Sequence, residues 1–300
     1  MKDLHLLPKV RDSLSFLYLE HGRIDQHEKA IAYHGDTGIV PVPVASLTLL
    51  MLGPGTDITH AAIRTLAENN CLVVWCGEQN VRLYAMGMGG TRSAAALLHQ
   101  AALVSDPKRR LEVIKRMYEM RFGETLPDVL DLASVRGREG LRVRSAYARL
   151  SREYGVPWVG RSYDRQTWYA SDPINRAISA SNSCLYGVCH AAILSVGLSP
   201  ALGFIHTGKQ LSFVYDIADL YKVEVTLPVA FEAAAEGGGD LERRVRLRCR
   251  DMFQRARLLQ RVVPDIQKLL GEDAPLEEVG FAGDEDPALP TPLASGDEVW

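Results

Sequence analysis

Val81-Arg82-Leu83-Tyr84-Ala85-Met86-Gly87-Met88-Gly89-Gly90 is the stretch at which the chain changes its period. Its first half reads as a strand. Its second half, with three glycines in four residues, reads as a linker, because glycine restricts the backbone least. On the N-terminal side, short apolar or alternating runs are separated by turn residues: Leu14–Glu20, Ala30–Tyr33, Gly38–Val44, Leu47–Leu52 and Cys71–Cys76. The segment His34-Gly35-Asp36-Thr37-Gly38 reads as a turn between two strands. Pro41 and Pro43 put the Gly38–Val44 run on a sheet edge, since proline cannot donate to a ladder. Thr59 is placed to cap one short helix ending near Asn69.

Beyond the linker the apolar spacing becomes three and four. It predicts helices over Ala94–Leu103, Pro107–Phe122, Leu130–Tyr154, Pro173–Val196, Ser212–Lys222, Pro228–Ala235 and Leu241–Leu270, with Pro264 bending or breaking the last. The fold class is therefore α+β: a small β-rich domain with one helix over 1–86, a glycine-rich linker over 87–93 and a larger, all-helical domain over 94–270. Residues 271–300 carry four prolines, nine acids and few large apolar groups, and are expected to form a mobile tail.

The 300 residues can bury a substantial core without disulfides. The N-terminus lacks the apolar segment of a signal peptide. Ala177–Gly208, free of Asp, Glu, Lys and Arg, holds too many polar groups to span a membrane and reads as a buried helix followed by a loop. Five cysteines, with both close pairs spaced C-x4-C, indicate neither a zinc site nor a disulfide framework, so a cytoplasmic, reduced protein is expected. The formal net charge of −3 hides a split. With nine acids in 271–300, residues 1–270 hold 34 basic against 28 acidic side chains, or +6. A basic body suits a polyanion; a solvated arginine face beside a solubilising tail fits equally well.

The candidate chemistry is ambiguous motif by motif. Gly203-Phe204-Ile205-His206-Thr207-Gly208-Lys209-Gln210 approaches the phosphate loop G-x4-G-K-[ST] but puts Gln210 where a hydroxyl must hold magnesium. Asp216 and Asp219, three apart on a helix, share a face and are expected to project together. With His206 they suit a manganese or magnesium ion, or else are an ordinary acidic face beside a hydrogen-bonded histidine. Glu139, alone among Arg136, Arg138, Arg142 and Arg144, reads as a surface ion-pair network or a functional acid. Trp158, Tyr163, Trp168 and Tyr169, interleaved with Arg161 and Arg165, fit base stacking and phosphate contact as well as an aromatic-anchored loop.

Taken in order, Val135-Arg136-Gly137-Arg138-Glu139-Gly140, Gly203–Lys209 and Leu211-Ser212-Phe213-Val214-Tyr215-Asp216-Ile217-Ala218-Asp219-Leu220 resemble the integrase of the CRISPR spacer-acquisition complex, most closely its type I-E branch. The likeness runs from about residue 10 to 270 and includes Glu78–Tyr84 and Leu185-Tyr186-Gly187. It implies a metal-dependent DNase and integrase using Mg2+ or Mn2+, with Glu139, His206 and Asp219 as metal ligands. Asp216 is implied as a further acid needed for activity. Lys209 follows His206 closely enough to neutralise phosphate charge or contact DNA.

The resemblance also implies a homodimer formed through the N-terminal domain, two such dimers flanking a small companion protein. The implied substrates are double-stranded DNA with single-stranded 3′ ends and the leader–repeat end of a CRISPR array. Arg64, Arg82, Arg161, Lys222, Arg243 and Arg246 match DNA-contacting or supporting basic positions. Tyr163 and Tyr186 match positions lining the pocket for the protospacer-adjacent motif. Relatives use a tyrosine wedge at the duplex end where this chain has His21, which offers less stacking area. A non-catalytic DNA scaffold on the same fold, or a structure-selective repair nuclease using the same site, are the alternative readings.

Overall fold

A computed structural model describes residues 15–28, 30–36, 38–44, 47–69, 71–77, 83–87, 94–124, 132–160 and 172–276. The N-terminal part forms two four-stranded sheets around one helix. Strands β1 (Ser15–Leu19), β5 (Leu47–Leu52), β7 (Leu72–Cys76) and β8 (Leu83–Gly87) make the first sheet, in that order. The first three are parallel and β8 is antiparallel to β7. The second sheet, ordered β4-β3-β2-β6, contains β2 (Gly22–His27), β3 (Ala30–Gly35), β4 (Gly38–Val42) and β6 (Thr56–Ile58). The expected β3–β4 turn is present, and proline-bearing β4 is an edge. Strands β2 and β6 are additions to the sequence reading. Ile24 is the sole fully buried residue of β2, so its apolar pattern is too sparse to announce a strand.

The first sheet is covered on both faces, which is why its strands read as continuous apolar runs rather than alternating ones. Along β5, Leu50 and Leu52 join Ile24, Ile31 and Val42 of the second sheet, together with Ala62 and Leu66 of helix α1 (His60–Glu68). The intervening Leu49 and Met51 face the other way, onto Ala191 and Leu194 of the long helix α5 (Pro173–Ser195). Thr59 caps α1 as expected, accepting from the Ala62 N–H at 3.2 Å.

The remaining described chain is helical: α2 (Ala95–Ser105), α3 (Pro107–Phe122), α4 (Leu132–Tyr154), α6 (Ser212–Asp219), α7 (Leu227–Ala235), α8 (Leu241–Arg255) and α9 (Leu258–Leu270). These pack around α5, whose buried residues fill the centre of one continuous core. Among the described residues α5 alone is both long and apolar enough to cross a membrane, and 78% of its most apolar window is buried inside the protein. It is a core helix.

Three boundaries differ from expectation. The predicted Leu241–Leu270 helix breaks at Arg257, which has a left-handed φ of 48°, and Pro264 sits inside α9. The predicted Ser212–Lys222 helix stops at Asp219 and is followed by a π-helical turn over Lys222–Thr226. The start of the expected mobile tail is packed: Ala274 and Leu276 are buried, and Gln267 Nε2 donates to the Gly271 and Ala274 carbonyls at 3.0 and 2.8 Å. Residues 88–93 of the linker and 277–300 of the tail lie outside the described residues.

A candidate metal and phosphodiester site between α3, α4 and α6

The site begins with a loop that is tied to one acid. A Cβ on Gly203 would lie 2.3 Å from the His206 carbonyl oxygen, so only glycine lets the 203–206 turn close. The turn aims three backbone N–H groups at Asp216 on α6: those of Phe204 at 2.6 Å, Ile205 at 3.1 Å and His206 at 2.9 Å. The His206 ring adds a fourth contact, Nδ1 to Asp216 Oδ1 at 2.7 Å. Arg110 on α3 clamps the same loop through the Phe204 carbonyl, with Nε at 2.9 Å and Nη2 at 2.6 Å. The Asp216 side chain is wholly buried, whereas the His206 side chain is 43% exposed.

A carboxylate in this position accepts but does not donate, so the shared proton sits on Nδ1 and Nε2 is left as the free ring nitrogen. The hydrogen bond to Asp216 outweighs partial burial and holds His206 above the ordinary imidazole range.

The second half of the site is held by cations. Glu139 on α4 accepts from the Tyr118 hydroxyl at 2.9 Å and from Arg121 Nη1. Tyr118 and Arg121 are three apart at the C-terminal end of α3 and therefore share a face. The same Arg121 Nη1 lies 3.9 Å from Asp219 Oδ2, and Lys222 Nζ lies 2.5 Å from Asp219 Oδ1. Burial pulls the Lys222 ammonium down, and the adjacent Asp219 carboxylate reverses this, leaving it above the usual lysine range. Lys222 also stands over the Tyr186 ring, at 4.9 Å from its centroid. Tyr186 meets Tyr215 edge-on at 5.1 Å, and Tyr215 meets His206 edge-on at 5.8 Å. Lys222 opens the π-helical turn, a distortion frequent at functional sites.

Glu139 and Asp219, 80 positions apart, thus converge on one guanidinium. Asp219 and Lys222 are both near enough to act electrostatically on His206. The surface-network reading of Glu139 is corrected: its cation is Arg121 from the preceding helix, while Arg142 turns to Glu124 and Arg144 to the Gly140 carbonyl. The expectation that Asp216 and Asp219 project together is corrected as well. Asp216 is spent on the 204–206 loop, and Asp219 faces Arg121 and Lys222.

Among the described residues no three His, Cys, Asp or Glu side chains stand close enough to share a metal ion in this arrangement. The donor chemistry nevertheless fits one. Two carboxylates and an outward imidazole nitrogen suit a hard divalent cation. The two carboxylates already gather around positive charge, and the Arg121 Nε is buried without an acceptor among the described residues.

The other candidates are dispersed. Lys209 is exposed on the loop leading into α6, its N–H donating to Ser212 Oγ at 3.1 Å. Arg64 is exposed on α1 beside Glu68, at 3.7 Å. Arg243 is exposed on α8, and Arg246 is half-buried there with an Nη1 lacking an acceptor among the described residues. His21 is exposed between β1 and β2 with a φ of 55°. Arg82, Arg161 and Tyr163 lie outside the described residues. All five cysteines are buried and free. Tyr118, Arg121, Arg110 and Tyr215 are the site residues the sequence reading passed over. The spacing of Tyr118 and Arg121 at the end of a predicted helix was the available signal.

Comparison with known proteins shows the family to which this chain belongs. The family model described as CRISPR associated protein Cas1 matches residues 17–151 and 119–238. A CRISPR-associated endonuclease Cas1 2 of Thermus thermophilus is 53% identical over 98% of this chain and 89% of its own length. The CRISPR-associated endonuclease Cas1 of Escherichia coli is 45% identical, over 96% and 95%. Among solved structures, a chain from "Crystal structure of TtCas1-DNA complex" superposes with a TM-score of 0.73 at 56% identity, covering 88% of this chain and 99% of that one. The chain belongs to the Cas1 family, and is a CRISPR-associated endonuclease.

Proposed function

We propose that this endonuclease is the integrase of a spacer-acquisition complex of the type I-E branch. It joins the 3′-hydroxyl ends of short foreign DNA duplexes to the leader–repeat end of a CRISPR array. The observation that carries the reading is the convergence of Glu139 and Asp219 beside His206, from three separate segments of the chain. Glu139, His206 and Asp219 would hold Mg2+ or Mn2+. When bound, such an ion supplies Lewis-acid polarisation of the target phosphate and lowers the pKa of the attacking hydroxyl.

The chain's own groups do the rest. Asp216 is a positioning residue: it fixes the His206 tautomer and ring plane and keeps Nε2 directed outward. Tyr118 orients one Glu139 oxygen. Lys209, exposed at the loop, offers a point charge to a phosphate, and Lys222 offers a second once Asp219 is otherwise engaged. Each joining step exchanges one phosphodiester for another, so no nucleotide triphosphate is needed.

Arg64, Arg82, Arg161, Arg243 and Arg246 supply sequence-independent, salt-sensitive backbone contacts. Tyr163 and Tyr186 supply stacking surface near the adjacent motif. Support for DNA as substrate comes from the relative solved as a TtCas1-DNA complex. The N-terminal sheets form the homodimer contact, two dimers embrace the small companion protein, and the assembly works in the cytoplasm. His21 stands at the position of the relatives' aromatic wedge and offers less stacking area.

The test combines the protein, its companion and Mn2+ or Mg2+ with a 3′-hydroxyl duplex and a supercoiled leader–repeat plasmid. Joined product at the leader–repeat junction is expected, lost in His206→Ala and with blocked 3′ ends. Cleavage of branched DNA without any joining would move the protein to repair. Binding with neither would make it a scaffold.

A further inference from the structure

We infer that Arg121 is a built-in counter-cation of the metal site, holding Glu139 and Asp219 together until a divalent ion exchanges for it, so that Arg121 sets how tightly the metal is held. The inference rests on the assignment of Glu139, His206 and Asp219 as ligands.

Two carboxylates on different helices repel each other at short range unless a cation lies between them. In this chain Arg121 Nη1 contacts one oxygen of Glu139 and lies 3.9 Å from one of Asp219. Its side chain is only 9% exposed, so it is committed to the interior, where an unpaired charge is costly. Yet the guanidinium is under-used. One nitrogen serves both acids, and Nε has no acceptor among the described residues. A structural arginine ordinarily engages a carboxylate through its two-pronged fork, as Arg261 does with Glu224 at 2.8 and 3.0 Å. Arg121 instead stands between two acids.

Charge count makes the exchange necessary. Arg121 and Lys222 already balance Glu139 and Asp219. A divalent ion added to that set leaves two uncompensated positive charges in a half-buried space, and release of the guanidinium relieves half of this. The neighbouring Phe122 ring, 5.6 Å from the Arg121 guanidinium, is already covered by Arg142 at 4.6 Å. A second resting place is the α3 C-terminus, capped by Gly123 with a φ of 65°, which favours positive charge. Arg121 therefore keeps its charge next to the site after leaving the acids.

Mn2+ binding to the full-length chain, followed by the electron paramagnetic resonance signal of free Mn2+, tests this. Arg121→Gln is expected to bind Mn2+ about tenfold more tightly than wild type, the scale of one removed competitor. It should melt earlier than wild type in EDTA and recover more on adding Mn2+. In Arg121→Ala, methylguanidinium is expected to weaken Mn2+ binding competitively, while leaving wild type unchanged against a sodium chloride control of equal ionic strength. Arg121→Lys keeps a charge at the position and so the fold, and should bind Mn2+ as weakly as wild type or nearly so.

Equal or weaker Mn2+ binding by Arg121→Gln, or no response to methylguanidinium, would overturn the exchange and leave Arg121 a scaffold. A glutamine variant that does not fold transfers the decision to Arg121→Lys. Tenfold tighter binding by the lysine variant then refutes a competing charge. Wild-type-like binding by the lysine variant, together with methylguanidinium that stabilises Arg121→Ala in EDTA and is displaced from it by Mn2+, supports it. If Glu139→Gln binds Mn2+ as wild type does, the ligand assignment itself fails, whatever Arg121 does.

Discussion

The two halves of the site hold their acids by different means. Asp216 is bound by three backbone N–H groups and an imidazole, all on one turn, and is sealed from solvent. Glu139 and Asp219 are held by side chains that carry mobile charge, and are 23% and 17% exposed. An acid satisfied by backbone cannot leave without unfolding its loop, whereas an acid satisfied by Arg121 and Lys222 can trade one cation for another. On the two-turn helix α6 the contrast separates a structural carboxylate, Asp216, from a working one, Asp219.

The comparison can be broken most directly at its rigid end. Asp216→Asn replaces four charge-assisted acceptor contacts with a group half of whose polar atoms donate. It should cost about 2–4 kcal/mol in urea unfolding, together with loss of nuclease activity. Asp219→Asn should shift the balance. Stability in EDTA falls by less, about 1–2 kcal/mol, because Asp219 meets two side-chain cations and no backbone donors, while DNA cleavage falls by at least about 10²-fold. Equal stability losses in the two variants would erase the distinction drawn between the halves.

A finer cut is Tyr118→Phe, which removes one neutral donor from Glu139. A loss of about 1 kcal/mol is expected in thermal or urea unfolding. Dependence of cleavage on Mn2+ concentration should shift to higher metal, because Glu139 loses an orienting contact.

The smallest effect concerns pH. The His206 pKa is raised in the folded state, so its contribution is fully present below the unfolded imidazole range and fades as pH rises through the folded value. With the ring 43% exposed, solvent screening keeps this to a fraction of a kcal/mol. The melting-temperature gap between wild type and His206→Gln should therefore be wider at pH 5.5 than at pH 8.5. A gap that widens with pH would show that His206 is not charged against Asp216.

How much of this was legible in the sequence follows from where the information sits. Strand and helix periods are local, so the change of period at Met86–Gly90 divided the β-rich from the helical part. The edge position of β4 followed from Pro41. Strand β2 was not legible, because only Ile24 announces its buried side. The helix break at Arg257 was not legible either. Arginine gives no warning of a left-handed φ, and Pro264 in α9 looked the better breaker.

In the site, spacing put Asp216 and Asp219 on one helix but could not say that backbone donors turn Asp216 to the 204–206 loop while Asp219 meets Arg121 and Lys222. The pairing of Glu139 with Arg121 crosses from α4 to α3, and no local pattern encodes it. Only the resemblance linked Glu139 to His206 and Asp219, because the three lie on separate segments of the chain.

Helix α5 reaches about 34 Å at 1.5 Å per residue. Along it lie Arg176 paired to Glu242, Tyr186 on the wall of the site, and Ala191 and Leu194 against the first sheet. A beam used at several stations tolerates no change of length between them. One residue inserted near Val188 would turn everything after it by 100° and carry Ala191 and Leu194 off the sheet. The three glycines at 237–239 join α7 to α8 in the open, two of them with positive φ. Insertions and deletions among natural variants of this chain belong in that loop, and α5 should keep its length to the residue.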